Sequence, residues 1–320
     1  MSQWIEVRIS SRIAETRAIS TFELRQPDGR PLPQFTAGAH IDVKIDDGLI
    51  RQYSLCNDAI ERHRYVIGVL NEPQSRGGSR IIHETFHQDR IISISPPRNH
   101  FELDIADDHY ILLAGGIGLT PILSMAAELH RQSRSFEVHY CARSRGSAAF
   151  LSHLNSAEYS GRVFCHFDDE DNGQKLDPAK LFSRVHKARQ LYVCGPKGFM
   201  DWIVGSAEQA GIENARIHRE YFTAAPQENR EAGTFEVVIA STGQTFIIPP
   251  EKSIVRVLEE NGVEVLVSCE QGICGSCITT ILEGTPDHRD SVLTEGERQA
   301  GTLFTPCCSR AKTARLVLDL

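Results

Sequence analysis

Apolar and polar positions change their period three times along the 320 residues. Residues 4 to 103 carry short alternating runs, among them IEVRIS, TFELR, HIDVKI, RYVIGVL and RIISIS, separated by PDG, DDG and a Pro-Pro pair. Such runs between frequent breakers predict an antiparallel β-barrel, with no helix beyond a turn or two after Gly78. From Tyr110 to about Tyr221, the apolar strands YILLA, FEVHYC, RVFCHF and QLYVC alternate with the helical stretches PILSMAAELHRQ, SAAFLSHLN and PKGFMDWIVGSAEQAG. That alternation predicts an α/β domain with a parallel sheet. AAPQENREAG at 224–233 is small and polar and reads as a linker. Beyond it, FEVVIA, a TGQ turn and TFIIP predict a hairpin. The helix SIVRVLEENG follows, with Ser253 suited to its N-cap and Gly262 to its end. The chain is therefore read as multidomain: a barrel at 1–103, a parallel-sheet domain at 104–223, the linker, and a third domain at 234–320.

Composition narrows the class. A hydrophobic content of 41% over this length supports more than one core. The apolar run from Ile111 to Leu123 is broken by three glycines and a proline and falls short of the roughly 18 residues of a membrane span. MSQWIEVRIS lacks a basic patch followed by an apolar stretch, so no leader is expected and the protein is read as soluble and cytoplasmic, without a membrane partner. Nine cysteines in so long a chain fit a reducing compartment better than a disulfide scaffold. A formal net charge of −8 with no basic stripe argues against nucleic acid.

Four of the cysteines carry the most specific chemistry. Cys269, Cys274, Cys277 and Cys307 are spaced C-x4-C-x2-C-x29-C. Three thiolates on one loop and a fourth from a later segment match the ligand set of a plant-type [2Fe-2S] cluster. Structural zinc usually draws on two C-x2-C pairs, and here Cys274 and Cys277 alone form one. Gly272 and Gly275 let the loop backbone aim amides at the sulfurs, which a reducible cluster needs. Zinc and inert thiols are the competing readings. Cys308 is a neighbouring substitute for Cys307, but the x29 gap favours Cys307.

Two glycine turns mark the parallel-sheet domain. LLAGGIGLTP at 112–121 runs from a strand through Gly115, Gly116 and Gly118 towards a helix that Thr120 is expected to cap and Pro121 to begin. This turn presents amides to a pyrophosphate, although it lacks the third glycine of the dinucleotide fingerprint. CGP at 194–196 follows the strand QLYV, and a strand end of this kind is where α/β sheets bind ligands. Either motif alone reads equally as a tight turn. In the barrel, RQYSLCND at 51–58 and RGGSR at 76–80 place an arginine fork and a glycine-serine turn where one phosphate can be held. Their bland reading is a buried strand tyrosine and a capping serine. DHRD at 287–290 reads as a surface turn or an interface element.

These motifs, with EYF at 220–222 and the ending CCSRAKTARLVLDL, resemble the phthalate dioxygenase reductase family, including its vanillate demethylase and carnitine monooxygenase branches, over essentially the whole chain. The resemblance implies a flavin barrel, an NAD domain and a β-grasp ferredoxin domain, in that order. It implies FMN, NADH as donor and a Rieske-type oxygenase as partner, with hydride passing to FMN and single electrons leaving through the cluster. It places Arg51, Gln52, Tyr53, Ser54, Gly77, Gly78 and Ser79 at FMN, with Phe222 closing over the ring. Gly115, Gly116, Gly118, Thr120, Arg143, Cys194, Gly195 and Pro196 line the nicotinamide path. Ser54, as a hydrogen-bond partner of flavin N5, and Thr120 and Cys194, as nicotinamide-positioning groups, are the candidate catalytic residues. Ser144 and Arg145 stand where several relatives carry an acidic or amide residue, which leaves NADPH as the alternative donor. A stand-alone reductase with a small-molecule acceptor and a non-enzymatic redox sensor are the other classes. Residues 234–320 hold twelve acidic and seven basic side chains, a net −5. Glu259, Glu260, Glu264, Glu270 and Glu283 are expected to form an acidic docking face.

Overall fold

Alternation in the first hundred residues builds six antiparallel strands: β1 (Ile5–Ala14), β2 (Ile19–Arg25), β3 (His40–Asp46), β4 (Leu49–Ser54), β5 (Tyr65–Leu70) and β6 (Ile91–Ile94). They follow the order β4-β3-β6-β1-β2-β5, and an isolated bridge between Leu55 and Ile67 brings the two edges together. The inward positions, including Val7, Phe22, Leu24, Ile41, Val43 and Ile67, form one buried core. The one helix among them, α1 (Gly78–Thr85), seals that core with Ile82 and Phe86. The computed structural model describes residues 4–46, 49–73, 77–170, 175–184, 189–222, 233–267 and 269–320. Arg76 and the expected linker, except Gly233, lie outside them.

The next segment is a parallel sheet of β7 (His109–Gly115), β8 (Ser135–Ala142), β9 (Val163–Phe167), β10 (Gln190–Cys194) and β11 (Ile217–Glu220) in the order β11-β10-β7-β8-β9. Helices α2 (Leu119–Arg131), α3 (Leu151–Ser156), α4 (Pro178–Ser183) and α5 (Lys197–Gln209) connect them. Strand β11 and helix α4 have no counterpart in the sequence reading, because IHRE and PAKLFS are too short to show a period. Helix α3 is also shorter than SAAFLSHLN, since Phe150 takes a left-handed φ of 62° and blocks an earlier start. Ile19, Ala37, Cys56 and Phe101 of the barrel segment share one core with Tyr110, Leu112, Leu119 and Tyr140 of the sheet segment. Met1–Phe222 is accordingly a single compact unit.

The second unit, Thr223–Leu320, has its own core. Its strands are β12 (Phe235–Ile239), β13 (Thr245–Ile248), β14 (Thr279–Glu283), β15 (Pro286–Asp287), β16 (Leu303–Phe304), β17 (Arg310–Ala311) and β18 (Arg315–Leu318). Five form the mixed sheet β13-β12-β18-β14-β16, in which β12 and β18 run parallel, and β15 pairs with β17. Helix α6 (Ile254–Glu260) packs Ile254, Val257 and Leu258 on this sheet, as a β-grasp fold requires. Ser253 caps it by accepting from the Arg256 amide at 3.2 Å. A last short helix, α7 (Glu295–Ala300), opens on a capping box of Thr294 and Glu297. Among the described residues no helix is long and apolar enough to cross a membrane.

Candidate functional site

The parallel sheet reverses its winding between β7 and β10, and both glycine turns leave it there. A Cβ on Gly118 would lie 2.3 Å from the Cys194 carbonyl oxygen and 2.7 Å from the Gly195 nitrogen. One on Gly195 would lie 3.0 Å from the Gly115 Cα. The two turns thus touch backbone to backbone at adjacent strand carboxyl ends, a bare surface at the topological switch point where open α/β sheets take ligands. Gly116 takes a left-handed φ of 55°. Pro196 and Phe199 pack on Gly115. Contrary to the expectation from sequence, Thr120 does not cap α2. A 3-10 turn at Gly116–Gly118 starts the helix at Leu119, so Thr120 lies inside its first turn and its hydroxyl donates to the Ile117 carbonyl at 3.0 Å. Pro121 falls in that same turn, where its missing N–H costs nothing.

Barrel and sheet meet at Ser54. This last residue of β4 is buried and hydrogen-bonds the Glu220 carboxyl, which stands in register with Cys194 on the neighbouring strand. Burial pushes the Glu220 carboxyl up to about 8 against the hydrogen bond from Ser54. The residue as a whole is half-exposed, but its Oε2 is enclosed without a hydrogen-bond partner, and the state of that atom governs the carboxyl. Burial likewise keeps the Cys194 thiol protonated, which suits a positioning role and not a nucleophile. Glu220 is absent from the sequence-derived set. Its signal was the acid that opens EYF and ends the strand IHRE.

A second cradle lies at the start of α1. A Cβ on Gly78 would meet the Arg51 side chain at 3.0 Å, so that side chain crosses the first turn of the helix. Gly77 takes φ 95°, and Ser79 accepts from the Glu72 amide at 3.1 Å. An arginine fork over helix amides, with no acid in the first turn, is a donor set that fits a phosphate monoester. Tyr53 is half-buried on the same strand, and burial raises its phenol. Gln52 donates to Asp42 at 3.0 Å, and Arg98 pairs with that carboxylate at 2.5 Å. Phe222 is 37% exposed. Arg143 is exposed, whereas Arg145 pairs with Glu170 at 3.2 Å and lies 4.7 Å over the Phe167 ring.

In the second unit, Cys269, Cys274, Cys277 and Cys307 are all buried. Cys269 contacts Cys274 and Cys307, and Cys307 also contacts Cys277 and Cys308. This contact pushes the Cys269 thiol far down and those of Cys274 and Cys307 far up. The loop amides turn inward, with Gln271 donating to Cys269 Sγ at 3.3 Å and Ser276 to Cys274 Sγ at 3.4 Å. Left-handed backbone at Glu270, Gly272 and Gly275 permits that turn. Among the described residues no group of three or more His, Cys, Asp or Glu stands in the arrangement of a single-ion site. Gathered sulfurs with amide donors aimed at them fit an anionic iron-sulfur cluster. Cys308 points to the Gly272 backbone and to Thr305, whereas Cys307 reaches two of the three loop cysteines. Elsewhere, burial raises the thiols of Cys56 and Cys141 to about 12 and that of Cys165 above its ordinary value, as expected of small packed residues.

Residues 237–312 match the family model described as a 2Fe-2S iron-sulfur cluster binding domain. The vanillate O-demethylase oxidoreductase of Pseudomonas putida is 49% identical over 317 residues, covering 99% of this chain and 100% of that protein. A solved phthalate dioxygenase reductase, described as a modular structure for electron transfer from pyridine nucleotides to [2Fe-2S], aligns with a TM-score of 0.74 at 40% identity, over 99% of this chain and 98% of that one. An intact type IV self-sufficient cytochrome P450 monooxygenase aligns with a TM-score of 0.88 at 35% identity; 99% of this chain corresponds to 41% of that protein. The chain belongs to the phthalate dioxygenase reductase family, oxidoreductases that carry electrons from a pyridine nucleotide through flavin to a [2Fe-2S] cluster.

Proposed function

We propose that this reductase serves a Rieske-type oxygenase that removes methyl groups from aromatic ethers. The observation that carries the one-electron outlet is the gathering of four buried cysteine sulfurs in the second unit. The choice of partner rests on the vanillate O-demethylase relative, whose length this chain matches. In this reading residues 1–103 hold FMN, 104–223 receive NADH and 234–320 hold the cluster.

Arg51 and the α1 amides hold the flavin phosphate, with Gly77 and Ser79 beside them and Gln52 and Tyr53 along the same strand. FMN, when bound, takes a hydride from the nicotinamide and releases its electrons singly. Ser54, itself held by Glu220, would offer its hydroxyl to flavin N5. Gly115, Gly116, Gly118, Gly195 and Pro196 leave a bare surface that would receive a nicotinamide, and Phe222 would cover the flavin ring. Thr120 and Cys194 fix the edges of that path, and Arg143 lies at its outer end. Cys269, Cys274, Cys277 and Cys307 supply the cluster thiolates.

A haem monooxygenase is the second reading, favoured by the P450 protein that contains this module within one chain. The two are separated by mixing the reductase with NADH and either a purified aromatic O-demethylating Rieske oxygenase or a P450 haem domain. Formaldehyde release from an aromatic methyl ether with the former alone supports the proposal. Reduction of the haem domain, without turnover by the Rieske oxygenase, overturns it.

A further inference from the structure

The DHRD segment is not the surface turn that its composition suggests. His288 is mostly enclosed, and the Asp290 side chain is 0% exposed. The segment touches both parts of the chain that carry the cysteines. The Ser291 amide donates to the Gly272 carbonyl at 2.9 Å, within the loop between Cys269 and Cys274. The Arg289 amide donates to Ser309 Oγ at 3.1 Å, two residues beyond Cys307. A Cβ on Gly272 would lie 2.9 Å from the Asp290 Cα and 3.0 Å from its Cβ, so only glycine admits this approach.

The Asp290 carboxylate is held from three sides. Its Oδ2 accepts from the Leu293 amide at 2.9 Å and faces Arg298 at 3.6 Å. Its Oδ1 lies 3.6 Å from His288 Nδ1 and has no hydrogen-bond partner. Arg298 also donates to the Asp290 carbonyl at 2.7 Å. A buried carboxylate with an unpartnered oxygen is costly where its charge does nothing, because an apolar or amide side chain would fill the space at less expense.

We propose that Asp290 is a positioning residue that clamps the cluster loop to the fourth-ligand segment and that its charge, balanced by Arg298, lowers the cluster's reduction potential. The proposal rests on the cluster reading of the cysteines. Reduction adds an electron to an already anionic cluster, so a neighbouring negative charge opposes it and a neighbouring positive charge favours it. Residues that orient metal ligands from behind typically contribute roughly 10- to 100-fold in retention.

The test uses the full chain with both cofactors, comparing wild type with Asp290→Asn and Arg298→Gln by redox titration followed by electron paramagnetic resonance, and by the rate of iron release to a chelator. Asp290→Asn is expected to raise the cluster midpoint and to release iron roughly tenfold faster or more. Arg298→Gln is expected to lower the midpoint, and neither variant should move that of the flavin. Should Asp290→Asn fail to retain the cluster, Arg298→Gln alone decides the sign. Midpoints unchanged, or displaced in the same direction in both variants, overturn the proposal. A wild type without a [2Fe-2S] resonance instead removes the cluster reading beneath it.

Discussion

Burial raises the Glu220 carboxyl to about 8, so at neutral pH the group beside Ser54 carries a proton and not a charge. A neutral acid at the junction of barrel and sheet can orient the Ser54 hydroxyl without repelling an electron-rich flavin. The folded state binds this proton more tightly than the unfolded chain, whose carboxyl titrates near 4.5, so the associated stability is fully present below that value and is lost as pH rises through about 8. Glu220→Gln should therefore flatten the loss of thermal stability between about pH 4.5 and pH 8 and remove a titration near 8 from the rate of flavin reduction. Parallel wild-type and variant profiles would reject this role. Arg51→Ala deletes charged hydrogen bonds worth about 1.5 to 3 kcal/mol. Flavin should then bind roughly tenfold to a hundredfold more weakly, and an unchanged affinity by fluorescence titration would sink the assignment. Arg51 stood out in sequence because a fork and a glycine turn suit phosphate chemistry, and the structure brings that side chain against Gly78. Glu220 did not stand out, because its character comes from enclosure by residues 54 and 194, far apart in the chain.

At the scale of elements, period and turn chemistry gave away the barrel, the sheet and the hairpin, whose strands appear as IEVRIS, YILLA and FEVVIA foretell. Boundaries were less visible where the backbone departs from rule. The 3-10 turn before α2 moved the helix start ahead of Thr120, and the left-handed Phe150 shortened α3. DHRD stayed open between a surface turn and an interface element, because four polar residues look solvated until the cluster loop packs against them. The turn after β8 bears on donor choice. Arg145 is held by Glu170 and the Phe167 ring, so a 2'-phosphate would compete with an existing ion pair. Turnover should favour NADH over NADPH, and Glu170→Gln should narrow that preference by a few-fold at most, since exposed pairs contribute about 1 kcal/mol or less. A wild type that prefers NADPH would contradict the reading.

The whole molecule divides its chemistry between two compact units, each with its own core. Cys274→Ser should therefore abolish the cluster resonance and leave flavin reduction by NADH intact, and simultaneous loss of both chromophores in a folded variant would contradict that independence. Net charge is uneven, with −5 of the −8 in residues 234–320. Glu259, Glu264, Glu270 and Glu283 are exposed, as is Leu266 at 52%, whereas Glu260 pairs with Lys252 at 2.6 Å and Arg256 at 3.3 Å. Steering by such a face should weaken with salt, since the Debye length is roughly 8 Å at physiological ionic strength. Transfer to the oxygenase should slow as salt rises while hydride transfer to the flavin holds nearly constant, and a transfer rate indifferent to salt would leave the charge to solubility. The most direct test of the central claim is an anaerobic NADH titration of the purified protein followed by visible absorbance and electron paramagnetic resonance. A flavin takes two electrons and the cluster one, so full bleaching is predicted at about one and a half NADH per chain, with a [2Fe-2S] resonance appearing as the titration proceeds. Bleaching complete at about one NADH per chain, with no such resonance, would contradict an electron path from nicotinamide through flavin to the cysteines of the second unit.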